Sequence, residues 1–257
     1  MLESLLSGFA NISLAQLALV AVVALFAAVV GGMSGYGTGA LMPLVLVPLV
    51  GAEPVVPIIA ITALFTNTGR VAAFRSSLDV RRALIVVAFG IWTCMLGAYG
   101  YTRLSGRGAA MVIGTMLIAS VPLRRLLKRH DIQVGNKGLA AGAVGWGFIV
   151  GGTSGSGVIL LSLLLASGMH GTAVIATDAF ITILIGTVKI AVFGIAGVVT
   201  AQVLAFALLI GAITLPGAFI SRVLVRRMPV HLHTAMLDAV VVLGGVMMWV
   251  GALRQAM

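Results

Sequence analysis

Charge is scarce in this 257-residue chain: Asp, Glu, Lys and Arg together make up 9% of it, against 61% hydrophobic residues. So few charges cannot cover the surface of a water-soluble domain, which excludes that class and leaves an integral membrane protein. No hydrophilic run is long enough to form a separate soluble domain. The single cysteine, Cys94, excludes an internal disulfide and any cysteine-based metal site. The histidines carry no signal either. His130, His231 and His233 fall in basic loops and His170 in a short turn, and a lone His-x-His pair lacks the further ligands a metal needs. No cofactor and no metal is therefore expected. Residues 1–13 hold Glu3 but no Lys or Arg, so they lack the basic region of a signal peptide. Residues 14–30 are accordingly expected to be a retained helix.

What charge there is leans positive, +10 net, and sits in short loops between apolar segments. The clusters are Arg75, Arg81 and Arg82; Arg124, Arg125, Lys128, Arg129 and Lys137; and Arg222, Arg226 and Arg227. This is the loop bias that orients membrane helices. A nucleic-acid partner would call for one continuous basic surface instead, and none is expected.

Ten apolar segments can be marked, at about 13–31, 39–51, 55–74, 83–101, 108–126, 138–151, 157–168, 172–193, 200–221 and 235–253. The sequence also repeats itself. Gly-Gly-Met-Ser-Gly-Tyr-Gly at 31–37 returns as Gly-Gly-Thr-Ser-Gly-Ser-Gly at 151–157, an offset of 120 residues. With one residue deleted the repeat continues, pairing Thr68 with Thr187, Ala72 with Ala191, Phe74 with Phe193, and the cations Arg70 and Lys189. Each glycine-rich stretch interrupts apolar sequence and is followed by a segment too short to cross a ~30 Å hydrocarbon core. The expected fold is thus an all-α polytopic membrane protein in one integral membrane domain. It is built of two inverted-topology repeats of about five helices, 1–127 and 128–257, with half-helices at the glycine-rich breaks.

Equivalent loops differ in charge, basic at 75–82 and uncharged at 194–200, which fits an odd number of spans per half. Loops 75–82, 124–138 and 222–231 are then cytoplasmic and both termini outside, with Arg103 and Arg107 as the exceptions to the rule.

Unwound backbone at membrane depth survives only where it is buried in protein or lines a wet cavity. Glycine lets a ligand reach main-chain N–H groups, and a helix starting there turns its positive end toward an anion. The candidate substrate-binding residues are Gly32, Ser34, Gly35, Tyr36 and Gly37 in the first break, with Gly152, Ser154, Gly155, Ser156 and Gly157 in the second. Asn67, Arg70 and Lys189 join them, because cations inside apolar helices are costly and favour an anionic guest. The competing reading of the breaks is helix packing, since Gly31/Gly35 and Gly151/Gly155 are small-xxx-small pairs. Arg70 lies a turn from a basic loop, from which it could snorkel. Asn67 could equally bond a neighbouring helix. Asp178, inside a span and on nearly the same helix face as Lys189, is a candidate for binding a coupled proton; capping its own helix or bonding a neighbour is the alternative.

The two breaks, each followed by an apolar run and a polar-spotted helix, with Pro43, Pro48 and Gly51 after the first, resemble the TauE/SafE sulfite-exporter family, which includes toluene-sulfonate uptake permeases. The resemblance covers essentially the whole chain. Family members often carry a denser Gly-x-Gly-Gly-Gly run; here Ser34, Tyr36, Thr38, Thr153 and Ser156 make the breaks more polar and bulkier. The resemblance implies a multi-pass carrier of the bacterial inner membrane. Its partners would be the lipid bilayer and a small sulfur-containing anion such as sulfite or a sulfonate, with transport coupled to protons or to the membrane potential. Two other functions fit some of the residues. Paired half-helices also suit a passive anion channel. The repeated Gly-x-Ser-Gly could display the serine of an intramembrane hydrolase, but no histidine lies inside a span to act as its base, and a catalytic serine has no reason to occur twice.

Overall fold

The computed structural model describes the backbone at residues 7–10, 12–34, 37–129, 133–224 and 230–254, with side chains described outside 30–37, 124–125, 127–129 and 217–240. The side chains of Asp238, His130, His231 and His233, of Arg124, Arg125, Lys128 and Arg129, and of Arg222, Arg226 and Arg227 thus lie outside the described residues.

Every apolar segment of the sequence is helical. The described residues form α1 (Leu14–Ser34), α2 (Gly37–Val50), α3 (Val55–Phe74), α4 (Val80–Thr102), α5 (Gly106–Arg129), α6 (Asn136–Gly152), α7 (Gly157–Ala166), α8 (Thr172–Ile195), α9 (Ala201–Leu224) and α10 (Val230–Arg254). Four stretches, Val55–Ser77, Val80–Thr102, Gly106–Leu123 and Thr172–Ile195, are by length and composition long and apolar enough to cross a membrane. The expected edges need correction at the charged ends. Helix α5 runs on to Arg129 and α10 starts at Val230, because backbone hydrogen bonding continues past the point where apolar sequence stops.

Helices α2 and α7 are short, with 14 and 10 residues. At 1.5 Å per residue they reach roughly 21 and 15 Å, part of the way across a bilayer core. Left-handed glycines, Gly51 after α2 and Gly168 after α7, stop them.

The helices pair across the two halves of the chain. Shifting each helix number by five maps the pairings onto one another: α4–α6 onto α9–α1, α3–α9 onto α8–α4, and α5–α7 onto α10–α2. The pairs α3–α8 and α5–α10 map onto themselves. The self-mapped pair α5–α10 meets at reciprocal glycines: a β-carbon on Gly114 would lie 2.9 Å from the Gly245 carbonyl oxygen, and one on Gly245 the same distance from that of Gly114. Close approach through small residues is how helices associate where lipid removes the hydrophobic drive.

Helices α3 and α8 lie at the centre and carry the buried polar groups Thr62, Asn67, Thr177, Asp178 and Lys189. The outward faces are apolar and exposed, as at Trp92, Leu96, Phe148 and Ile195, and these are the surfaces expected to meet lipid.

One acid outside the spans orders a helix start. Asp79 precedes α4; its carboxylate accepts from the Arg82 backbone N–H at 3.0 Å and pairs with the Arg82 guanidinium at 2.7 Å. Its own N–H donates to Thr177 Oγ1 at 3.1 Å, fixing α4 against α8. The backbone hydrogen bond from Arg82, above all, holds the Asp79 carboxyl below its ordinary value of 3.8. Its folded value is depressed, so its stabilisation is complete above 3.8 and fades as pH falls through the lower folded value. Asp79→Ala should cost about 1 kcal/mol near neutrality. The gap between the two melting curves of detergent-purified protein should close under strong acid; a gap that persists there would remove the carboxylate from this role.

Candidate functional site

The second break is a chain interruption as the glycine pattern predicts, though shorter than the repeated motif. Gly151 and Gly152 remain helical as the last turn of α6, and only 153–156 leave the helix. Thr153 is extended (φ −150°, ψ −176°) and Gly155 is left-handed (φ +83°), a conformation that favours glycine. In the first half, α1 continues through Ser34, so Gly31, Gly32 and Met33 are helical too, and α2 starts at Gly37. The expectation of an interruption from 31 is corrected here: an apolar helix keeps its hydrogen bonds as far as it can. Gly35 and Tyr36 lie outside the described residues, as do the side chains of Gly32, Ser34 and Gly37.

The start of α2 and the second break come together. A β-carbon on Gly39, in the first turn of α2, would lie 3.1 Å from the backbone nitrogen of Gly155. The starts of α2 and α7 therefore approach one another, backbone against backbone. Beside them lies a cavity of about 140 Å³. Thr38 and Gly39 line it from α2, and 153–157 from the second break. Asn67 and Arg70 line it from α3, and Asp178, Thr182 and Lys189 from α8. Ala27, Ala28, Ile59 and Ile185 supply apolar wall.

Lys189 is buried, and its Nζ donates to the carbonyls of Val150 at 2.6 Å and Thr153 at 2.9 Å. These belong to the C-terminal end of α6, where carbonyls have no partner within the helix and the dipole is negative. Lys189 thus neutralises the end of α6 and leaves the positive end of α7 facing the cavity. Phe193 places its ring 5.8 Å from the same ammonium. Trp146 braces the break from α6, its Nε1 donating to the Ser156 carbonyl at 3.3 Å.

Arg70 does not snorkel away. Its side chain is largely buried, and its NH1 donates to Asn67 Oδ1 at 3.3 Å and lies 3.5 Å from Asp178 Oδ2. Asp178 is the seventh residue of α8, past any capping position, and its oxygen meets Arg70 across the α3–α8 contact. Asn67 bonds within its own helix, to the Ala63 carbonyl at 2.8 Å, rather than to a neighbouring helix.

Among the described residues, two buried polar atoms on the cavity have no hydrogen-bond partner: Ser154 Oγ and Asp178 Oδ1. Buried polar groups are normally satisfied, because leaving one unpaired costs about 1–3 kcal/mol. Two such atoms on one cavity make it the candidate site.

Of the sequence candidates, Asn67, Arg70, Ser154, Gly155, Ser156, Gly157, Asp178 and Lys189 line this one cavity. Gly152 does not. It packs against Gly97, where an added β-carbon would lie 3.2 Å from the Gly97 carbonyl oxygen. Thr66, Trp146 and Thr182 also line the cavity and escaped the sequence reading; Thr38 and Thr153, which the sequence marks only as polar residues of the breaks, line it too. For Thr182 a signal was present: Asp178, Thr182, Ile185, Gly186 and Lys189 recur at helical spacing on one face of α8.

The ten described apolar helices, with a charged cavity at a helix interruption among them, have the architecture of a polytopic membrane transporter. The chain matches the family model for the sulfite exporter TauE/SafE over residues 20–248, from within α1 to within α10. It belongs to that family, a family of membrane transporters. No curated protein and no solved structure gives a significant match.

Proposed function

We propose that the protein is a secondary carrier of small sulfur-containing anions, sulfite or a short sulfonate, in a bacterial inner membrane. The anion sits in the cavity between the two breaks, near the midplane of two inverted repeats that rock to open one side at a time. The observation that carries this reading is the pair of orphaned atoms, Ser154 Oγ and Asp178 Oδ1, beside Arg70 and the start of α7. Sulfur oxyanions present three acceptor oxygens to the donors of this set, Ser154 Oγ, the Arg70 guanidinium and the N–H groups at the start of α7, while Asp178 Oδ1 donates only when it carries a proton. Size supports a small guest: about 140 Å³ is close to the ~150 Å³ of a cavity that takes a benzene. Export of an anion would run on the inside-negative potential, and import would need a coupled cation, for which Asp178 is the proton site. The Ser154 hydroxyl has no base bonded to it, which favours a carrier over a hydrolase.

Ser154→Ala removes a donor to a charged guest, worth about 1.5–3 kcal/mol, and should weaken binding roughly tenfold to a hundredfold without unfolding the protein. Titrating purified wild type and variant with sulfite and methanesulfonate checks this; equal affinities would take Ser154 out of the site. Flux in liposomes tests the mode of transport. Saturable uptake accelerated by substrate on the far side supports the carrier, whereas fast, non-saturating flux makes the protein a channel.

A further inference from the structure

On that oxyanion reading, we infer that Asp178 sets the charge of the anion the cavity accepts: ionised, it admits a monoanion, and carrying a proton, a dianion.

Among the described residues lining the cavity, three side chains ionise: Arg70 of α3, and Asp178 and Lys189 of α8. With all three charged, these described side chains sum to one net positive charge. Burial in a medium of low dielectric penalises any large imbalance, so a single negative charge is the guest that neutralises it. A proton on Asp178 raises the balance to two positive charges, which a dianion matches. Geometry makes this proton site specific. One carboxylate oxygen, Oδ2, faces Arg70, and the other, Oδ1, is buried on the cavity without a partner. A proton on Oδ1 turns an orphaned acceptor into a donor available to a guest's oxygen. The additional oxyanion charge then meets Arg70 without competition from an ionised Asp178.

Among the described residues, the neighbouring elements bring no competing group to that oxygen. From α3 the facing charge is Arg70. From α4, Asp79 and Arg82 are bound to each other, and Cys94 turns its sulfur to the Ile185 carbonyl at 4.0 Å. Arg75, in the turn after α3, does not line the cavity, and the described residues that α1, α2, α6 and α7 contribute to its wall do not titrate. Lys189 also enters this balance, and Asp178→Asn, which leaves the lysine and its bonds to the Val150 and Thr153 carbonyls in place, assigns the pH dependence to Asp178.

Sulfate and methanesulfonate test this, because they share a tetrahedral sulfur and differ by one charge across pH 5–8. Binding to the full-length, detergent-purified protein is measured over that range. On the alkaline side of the Asp178 titration, the ratio of the sulfate Kd to the methanesulfonate Kd should rise roughly tenfold per pH unit. In weakly buffered solution, wild type should take up one more proton for each sulfate bound than for each methanesulfonate. Asp178→Asn, a donor at every pH, should make the ratio flat and shift it at least tenfold toward sulfate at pH 8. Parallel pH profiles, or equal proton uptake with the two anions, overturn the inference while leaving the carrier reading intact. If Asp178→Asn does not fold, the wild-type proton count still decides. Failure of both anions to bind at any pH overturns the carrier reading and this inference with it.

Discussion

Gly151→Leu yields no folded protein in detergent, whereas Gly145→Ala, two turns earlier on the same helix, is indistinguishable from wild type. Among the described residues, helices α4 and α6 form the tightest seam. A β-carbon at Gly151 would overlap the Cys94 carbonyl oxygen and come within 2.8 Å of the Ala98 nitrogen. One at Gly147 would overlap the Gly90 carbonyl oxygen and Thr93 Oγ1, and one at Gly97 the Phe148 carbonyl oxygen. The obstructing atoms are mostly backbone, so no rotamer change relieves them. Thr93 ties the seam further, its hydroxyl donating to the Val144 carbonyl at 2.8 Å. Ordinary overpacking costs about 1–3 kcal/mol, and forcing two backbones apart adds the loss of the whole interface. Gly145 has nothing within 4 Å of its missing β-carbon, so an added methyl meets only lipid or detergent. Size-exclusion profiles of the two purified variants check the contrast. A sharp, wild-type-like peak for Gly151→Leu would mean that the seam is looser than the backbone geometry implies.

Lys189→Met loses stability and anion binding together. Methionine fills much of the same volume and keeps the apolar stem, but leaves the Val150 and Thr153 carbonyls without their donor. Two buried orphans at about 1–3 kcal/mol each predict a loss of roughly 2–5 kcal/mol, or a fall in Tm of about 5–15 °C for a chain of this size. The negative end of α6 is then no longer neutralised beside the start of α7, so the anion site weakens even at temperatures where the protein stays folded. Thermal unfolding and sulfite titration of the same preparation read both effects. An unchanged Tm with lost binding would make Lys189 a direct ligand rather than the clamp on the break.

The helices were legible in the sequence because lipid demands long apolar runs, and the interruption at 153–156 because a polar glycine-rich stretch breaks such a run. The position of Lys189 was legible as well, since a cation amid apolar neighbours stands out. Its task was not: the carbonyls it holds lie 39 and 36 residues earlier in the chain, and only the α6–α8 arrangement brings them within reach. The Arg70–Asp178 pair was hidden for the same reason, being separated by 108 residues and divided between the halves. Gly152 was misread because a glycine that admits a ligand and a glycine that admits a neighbouring helix look identical in one dimension. Trp146 escaped notice because its aromatic body reads as ordinary core, and its polar atom matters only once Ser156 is placed beside it.

The most direct test of a sulfur-oxyanion site at the helix breaks is an anomalous-diffraction map of crystals grown with selenate, the heavier counterpart of sulfate. A selenium peak in the cavity beside Arg70, within hydrogen-bond distance of Ser154 Oγ and the start of α7, is the expected result. Selenium confined to the protein surface, or an unbroken helix running through 153–156, would contradict it.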